Sequence, residues 1–154
     1  MKNKPLAYPA VFALEKKGYS ISFPDFPEAH SQGDDEEDAF RMAVGCLNAV
    51  LEWRMEEKSS IPKPSVLHKG RVSIPVSLDL APKLALYRLM RDQNISNVKL
   101  AKRLGINETV VRRMLDPNHR SKPEQYTRAL AALGAAMQVS IVTAKLGAAE
   151  RSRV

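Results

Sequence analysis

Asn97-Val98-Lys99-Leu100-Ala101-Lys102-Arg103-Leu104-Gly105-Ile106-Asn107-Glu108-Thr109-Val110-Val111-Arg112-Arg113-Met114-Leu115 reads as two short helices hinged at a glycine. Leu100, Ala101 and Leu104 fall on one side of the first helix, and Ser96 stands where an N-cap is wanted. Gly105 suits the hinge, because a residue without Cβ takes φ > 0 at little cost. Asn107 can cap the second helix, whose Val111, Met114 and Leu115 are spaced to bury one side. Its other side carries Glu108, Thr109, Arg112 and Arg113. The small Ala101 lets the two helices cross closely.

This pattern resembles the helix-turn-helix of phage repressors of the Cro/CI type, whose second helix enters the DNA major groove. An ordinary helical hairpin with a basic face is the plainer alternative. On the DNA-binding reading, Asn107, Glu108, Thr109 and Arg112 face base edges from the start of the second helix. Arginine grips guanine O6 and N7 with two donors, and glutamate accepts from cytosine N4. Asn97 stands where relatives of that motif often carry a phosphate-binding glutamine. Lys99, Lys102, Arg113 and Arg120 are further phosphate candidates.

Charge is distributed in the same sense. Residues 1–78 carry ten Lys or Arg against eleven Asp or Glu, whereas residues 79–154 carry fourteen against six. That asymmetry points the second half toward a polyanion and assigns the first half a different task. The single cysteine, Cys46, excludes an internal disulfide and suits a reducing cytosol. No run approaches the roughly 18 apolar residues that a membrane span requires, and Met1–Pro5 lead into no signal-peptide core. The expected location is the cytoplasm, away from membranes.

Outward from the central stretch, a helix is expected from about Pro82 to Asp92, with Leu84, Tyr87 and Met90 on one apolar row. Pro123 opens another helix at its tolerated first turn, with Gly134 ending it. Met137, Val139, Ile141 and Thr143 alternate as a possible terminal strand, which needs a partner that a second subunit would supply. Residues 146–154 are expected to fray.

The first half has a different grammar. Leu6, Tyr8, Ala10, Phe12 and Leu14 alternate, as do Tyr19, Ile21 and Phe23 after the turn Glu15-Lys16-Lys17-Gly18. Pro9 belongs on an edge or at a bulge. The prolines of Phe23-Pro24-Asp25-Phe26-Pro27-Glu28 indicate a loop, followed by a short strand over Ala29–Gln32. Asp34-Asp35-Glu36-Glu37-Asp38 opens a long helix, where acids favour the positive dipole end and Asp34 with Glu37 forms a capping box. Phe40, Ala43, Val44, Leu47, Val50 and Leu51 give that helix an apolar stripe reaching toward Lys58. Arg71–Ser77 reads as a fourth strand returning to the first sheet. The fold class is therefore α+β: a β-β-β-α-β domain over residues 1–77 and an all-α domain over 78–145. A ribbon-helix-helix beginning at Arg71–Ser77 fits less well, because at least three helices follow Asp92.

The alternating pair of strands, Phe23-Pro24-Asp25-Phe26-Pro27, and Gly33 followed by acids and Glu37-Asp38-Ala39 together resemble the N-terminal domain of the HicB antitoxin family. Glu28 stands where the family commonly has Gly, and Asp38-Ala39 where it has Glu-Ala. The resemblance covers residues 6–77, and a helix-turn-helix is one of two DNA-binding modules the family uses. It implies a partial ribonuclease-H-like domain that masks a HicA-like mRNA-cleaving toxin, followed by a module that represses the shared operon as a homo-oligomer on double-stranded operator DNA. Asp25, Asp34, Asp35 and Glu36 are then candidates for the toxin-facing surface, although acids at a helix start are more simply a solvated N-terminus.

Catalysis is not expected. Asp25 and Asp34 could be remnants of a two-metal carboxylate set, but no ordered series of acids accompanies them. His30, His68 and His119 lack ligand spacing, so neither metal nor cofactor is implied. Cys46 beside Met42 reads as packing, and Trp53 as core or subunit contact. The rival function is a free-standing transcription regulator whose first domain senses a small ligand.

Overall fold

The alternation between Leu6 and Phe23 becomes an antiparallel hairpin of β1 (Ala7–Leu14) and β2 (Tyr19–Phe23). Gly18, at φ 72°, closes its turn, and its carbonyl accepts from the Glu15 amide at 3.0 Å. The computed structural model describes residues 5–141. Its chain divides into two compact units, one holding residues up to Leu51 together with Pro62–Ser77, the other Glu52–Ile61 and Leu78–Ser140.

In the first unit, β3 (Phe26–Gly33), α1 (Glu36–Glu56) and β4 (Val72–Pro75) follow. The four strands form an antiparallel sheet of order β3-β2-β1-β4, so β4 does return to β1. Three expectations change. Phe23–Glu28 is not an extended loop: Pro24 and Asp25 make the turn, and Phe26 already pairs with Phe23. The register slips between Ser22 and Phe23, and β3 lies at the sheet's edge. Pro27 sits within that irregularity, where a missing N–H breaks no ladder bond. Pro9 is on an interior strand, yet it pairs with Ser73 of β4 before the β2 ladder begins at Val11. The capping box is shifted by one residue. The Asp38 amide donates to Asp35 Oδ1 at 2.8 Å, and the Asp34 amide donates to Asp38 Oδ2 at 3.0 Å.

One side of the sheet and one stripe of α1 supply the core. Tyr8, Ala10, Ile21, Phe26, Val72 and Ile74 are buried with Ala39, Ala43, Leu47 and Leu51. Burying each large apolar side chain contributes about 1.5–3 kcal/mol before entropy is counted. Tyr8 and Phe26 stack at 4.9 Å in a tilted geometry, and the Tyr8 hydroxyl donates to the Pro62 carbonyl at 2.7 Å.

The second unit contains α2 (Ala81–Asp92), α3 (Asn97–Leu104), α4 (Glu108–Leu115) and α5 (Pro123–Ala132). Leu86 and Met90 of α2, Leu100 and Ala101 of α3, Val111 and Met114 of α4, and Tyr126, Ala129 and Leu130 of α5 form one buried cluster. Gly134, at φ 75°, follows α5 as expected. Met137–Ile141 form no strand: they are irregular, with Val139 66 % and Ile141 87 % exposed. An isolated strand has no ladder partner among the described residues. Thr143 and residues 146–154 lie outside them.

Candidate functional site

Helix α3 begins where the Ser96 Oγ accepts from the Lys99 amide at 3.2 Å. It ends at Gly105, which adopts φ 66°, ψ 34°. There the amides of Gly105 and Ile106 donate back to the carbonyls of Lys102 and Ala101, satisfying acceptors that a helix end would leave open. Two residues later the Asn107 Oδ1 accepts from the Thr109 amide at 3.2 Å and opens α4. Leu100, Ala101, Val111 and Met114 turn inward, while Leu104 and Leu115 are half-buried at the margin. The sequence thus specifies both helices and their joint through local capping.

Apart from Val98, which is exposed on α3, what faces solvent is polar and basic. Thr109, Arg112 and Arg113 are exposed on α4, as are Lys99, Lys102 and Arg103 on α3 and Arg120 in the following loop. Asn97 is half-buried, and the Asn107 side-chain oxygen is engaged in its cap. Glu108 forms an ion pair with Arg112 one turn along. Such a pair holds the guanidinium over the helix without removing it from water; Arg112 remains 65 % exposed. The arrangement offers a row of hydrogen-bond donors on one short capped helix, a chemistry suited to reading base edges or phosphates.

Two side chains that support this helix escaped the sequence reading. Lys83 of α2 is 4 % exposed, and its Nζ donates to the Tyr126 hydroxyl at 2.8 Å and to the Met114 carbonyl at 3.2 Å. The Tyr126 hydroxyl donates to the same carbonyl at 2.8 Å. The visible signal was Lys83 itself, a cation on the apolar row that continues through Tyr87 and Met90.

In the first unit the four acidic candidates separate. Asp25 is committed to structure: its Oδ2 accepts from the Ser65 amide at 3.0 Å and the Ser65 hydroxyl at 3.1 Å, fastening the segment before β4. Asp35 caps α1. Glu36 accepts a long 3.4 Å bond from the Tyr19 hydroxyl, and both it and Asp34 are exposed. The amide of Asp34, together with Arg41, lowers the Asp38 pKa from its ordinary value. Among the described residues no three His, Cys, Asp or Glu side chains could share a metal ion.

Cys46 is half-buried and its thiol donates weakly to the His30 carbonyl at 3.6 Å. Burial raises its pKa, which suppresses the nucleophilic thiolate. Trp53 is 52 % exposed and is therefore not core. No helix among the described residues is long and apolar enough to cross a membrane.

Comparison with known proteins spans both parts of the chain. Residues 7–85 match the family described as HicB-like antitoxin of bacterial toxin–antitoxin systems. Antitoxin HicB 1 of Photorhabdus laumondii is 32 % identical over 139 residues, covering 90 % of this chain and 88 % of that protein. Antitoxin HicB 2 of the same organism is 33 % identical, covering 86 % of this chain and 94 % of its own length. Antitoxin HicB of Escherichia coli K12 is 30 % identical, with 81 % and 91 % covered. The likeness therefore extends beyond the sheet and through most of the helical unit, and the chain belongs to the HicB-like family of bacterial antitoxins.

Proposed function

We propose that this antitoxin neutralises a HicA-like mRNA-cleaving toxin by direct binding through residues 1–77, and represses its own operon by binding operator DNA through residues 78–145. In this reading the first unit is a partial ribonuclease-H-like fold without catalytic function, working in the cytoplasm. Helices α3 and α4 form a helix-turn-helix. The observation that carries the reading is a single chain joining an antitoxin-matched segment to a basic unit whose α4 keeps Thr109, Arg112 and Arg113 in solvent.

Asn107, Glu108, Thr109 and Arg112 would address base edges, and Asn97, Lys99, Lys102, Arg113 and Arg120 phosphates. A homodimer would place two α4 helices on half-sites about 34 Å apart, one turn of DNA. Of the acids, the exposed Asp34, Asp35 and Glu36 would face a basic toxin. Asp25 would act indirectly through the segment it fastens.

The test is to express the full tagged chain from its native operon and identify what co-purifies, alongside footprinting on the upstream DNA. A stoichiometric small basic protein together with a protected palindrome supports both halves. A protected palindrome without a protein partner would replace the antitoxin reading with a free-standing regulator. A toxin without protection would confine the function to neutralisation.

A further inference from the structure

We propose that Lys83 is a positioning residue for operator recognition: its ammonium and the Tyr126 hydroxyl fix the C-terminal end of α4 through the Met114 carbonyl, setting the angle at which Thr109 and Arg112 are presented. The inference rests on the DNA-binding reading above and concerns residues outside the exposed row. Lys83 is the buried charged side chain among the described residues, and its partners are a carbonyl and a hydroxyl rather than a carboxylate.

A buried charge is costly, and packing alone would be served as well by an apolar side chain of similar volume. What the ammonium provides is direction. The Met114 carbonyl lies in the last turn of α4, where the helix has no further amides to offer. The backbone becomes extended at Asp116, and the Asn118 amide, which a continued helix would donate to Met114, turns instead to Asp116 Oδ1 at 2.9 Å. Lys83 from α2 and Tyr126 from α5 fill that position, with the cation at the negative end of the α4 dipole.

Leverage makes this connection matter for recognition. A helix of eight residues is about 12 Å long, so a 10° tilt about its anchored end moves its first turn by about 2 Å. A functional constellation tolerates about 0.5 Å. The opposite end of α4 is joined to α3 through the turn at Gly105 and Ile106 and the packing of Val111 beside Ala101, so the Met114 carbonyl is where α2 and α5 add polar contacts to the far end of the helix.

The experiment compares the full-length protein with K83M and Y126F. Each binds a duplex from its own upstream region and a scrambled duplex of equal length, at a temperature where melting curves show all three proteins folded. K83M should lower upstream-DNA affinity by about tenfold or more while leaving scrambled-DNA affinity and the salt slope within about twofold, because Lys99, Lys102 and Arg113 still meet phosphates. Y126F, which removes one oxygen, should act in the same direction and supplies the answer if K83M does not fold. An unchanged ratio of upstream to scrambled affinity in the folded variants overturns the proposal. So does an equal loss on both duplexes, which is what general destabilisation gives. If the unmodified protein shows no preference for upstream DNA, the DNA-binding reading itself fails and this inference with it.

Discussion

A methyl group built on Gly33 would lie 2.4 Å from the backbone of Ala39, so β3 and α1 meet closely only because that position has no side chain. Gly33→Ala should destabilise the first unit by about 1–3 kcal/mol, the usual cost of overpacking, measured as a lower urea midpoint with unchanged slope. On the DNA-binding proposal, the expected effect at Glu108 is on recognition instead. Glu108→Ala releases the Arg112 guanidinium from its ion pair. Non-specific DNA binding should tighten while discrimination at one base position falls by about 1–3 kcal/mol, read by competition with single-base operator variants. Residue identities were legible in the sequence where the partner is local, as at Ser96 and Asn107. They were illegible where the partner is distant: nothing near Asp25 announces Ser65, and nothing near Lys83 announces Met114 or Tyr126.

Helix ends carry the next level of explanation. Replacing Asn107 by Ala removes the acceptor for the Thr109 amide and should cost about 1 kcal/mol, visible as a lower melting temperature. At the start of α1, the amide of Asp34 and then the Arg41 guanidinium hold the Asp38 carboxyl below its ordinary pKa. A lowered folded-state pKa contributes stability that is complete above the unfolded value of about 3.9 and is lost as pH falls from there through the folded-state pKa. Asp38→Asn should therefore show a shallower loss of stability below about pH 4 in acid titrations followed by circular dichroism. The four helices of the second unit were readable because their caps, prolines and glycines act within a few residues. Strand β3 was legible only over Ala29–Gln32; its start at Phe26 was not, because a proline is tolerated in a strand according to which edge it occupies, and the sheet order sets that.

The order β-β-β-α-β could be read from strand alternation together with the helical spacing and acidic start of α1, but the grouping of Glu52–Ile61 could not. Apolar periodicity continues along α1 without marking where one unit stops, and this segment groups with the helices. Within that unit the Tyr87 hydroxyl donates to the Ser59 carbonyl at 2.8 Å, Arg91 to the Lys58 carbonyl at 3.2 Å, and Asn118 to Glu56 at 2.9 Å. A fragment of residues 78–154 should consequently melt several degrees below one of residues 52–154, since each lost hydrogen bond is worth about 1 kcal/mol. If the intact protein binds operator DNA as proposed, Lys99→Gln should reduce the slope of log affinity against log salt by about one.

Strand β1 is shared between two neighbours made at very different times: Leu14 pairs with Tyr19, but Ala10 waits for Val72. The β1-β2-β3 meander needs only short loop closures, whereas adding β4 closes a loop that contains all of α1 and so carries the larger entropic cost. Folding of the first unit should therefore begin in the meander and finish with β4, giving φ-values near zero for Ile74→Val and higher ones at Ile21. On the ribosome the half of β1 from Ala7 to Ala10 remains an open template until residue 75 has emerged, so a chain truncated before β4 presents that edge to proteases and to other nascent chains.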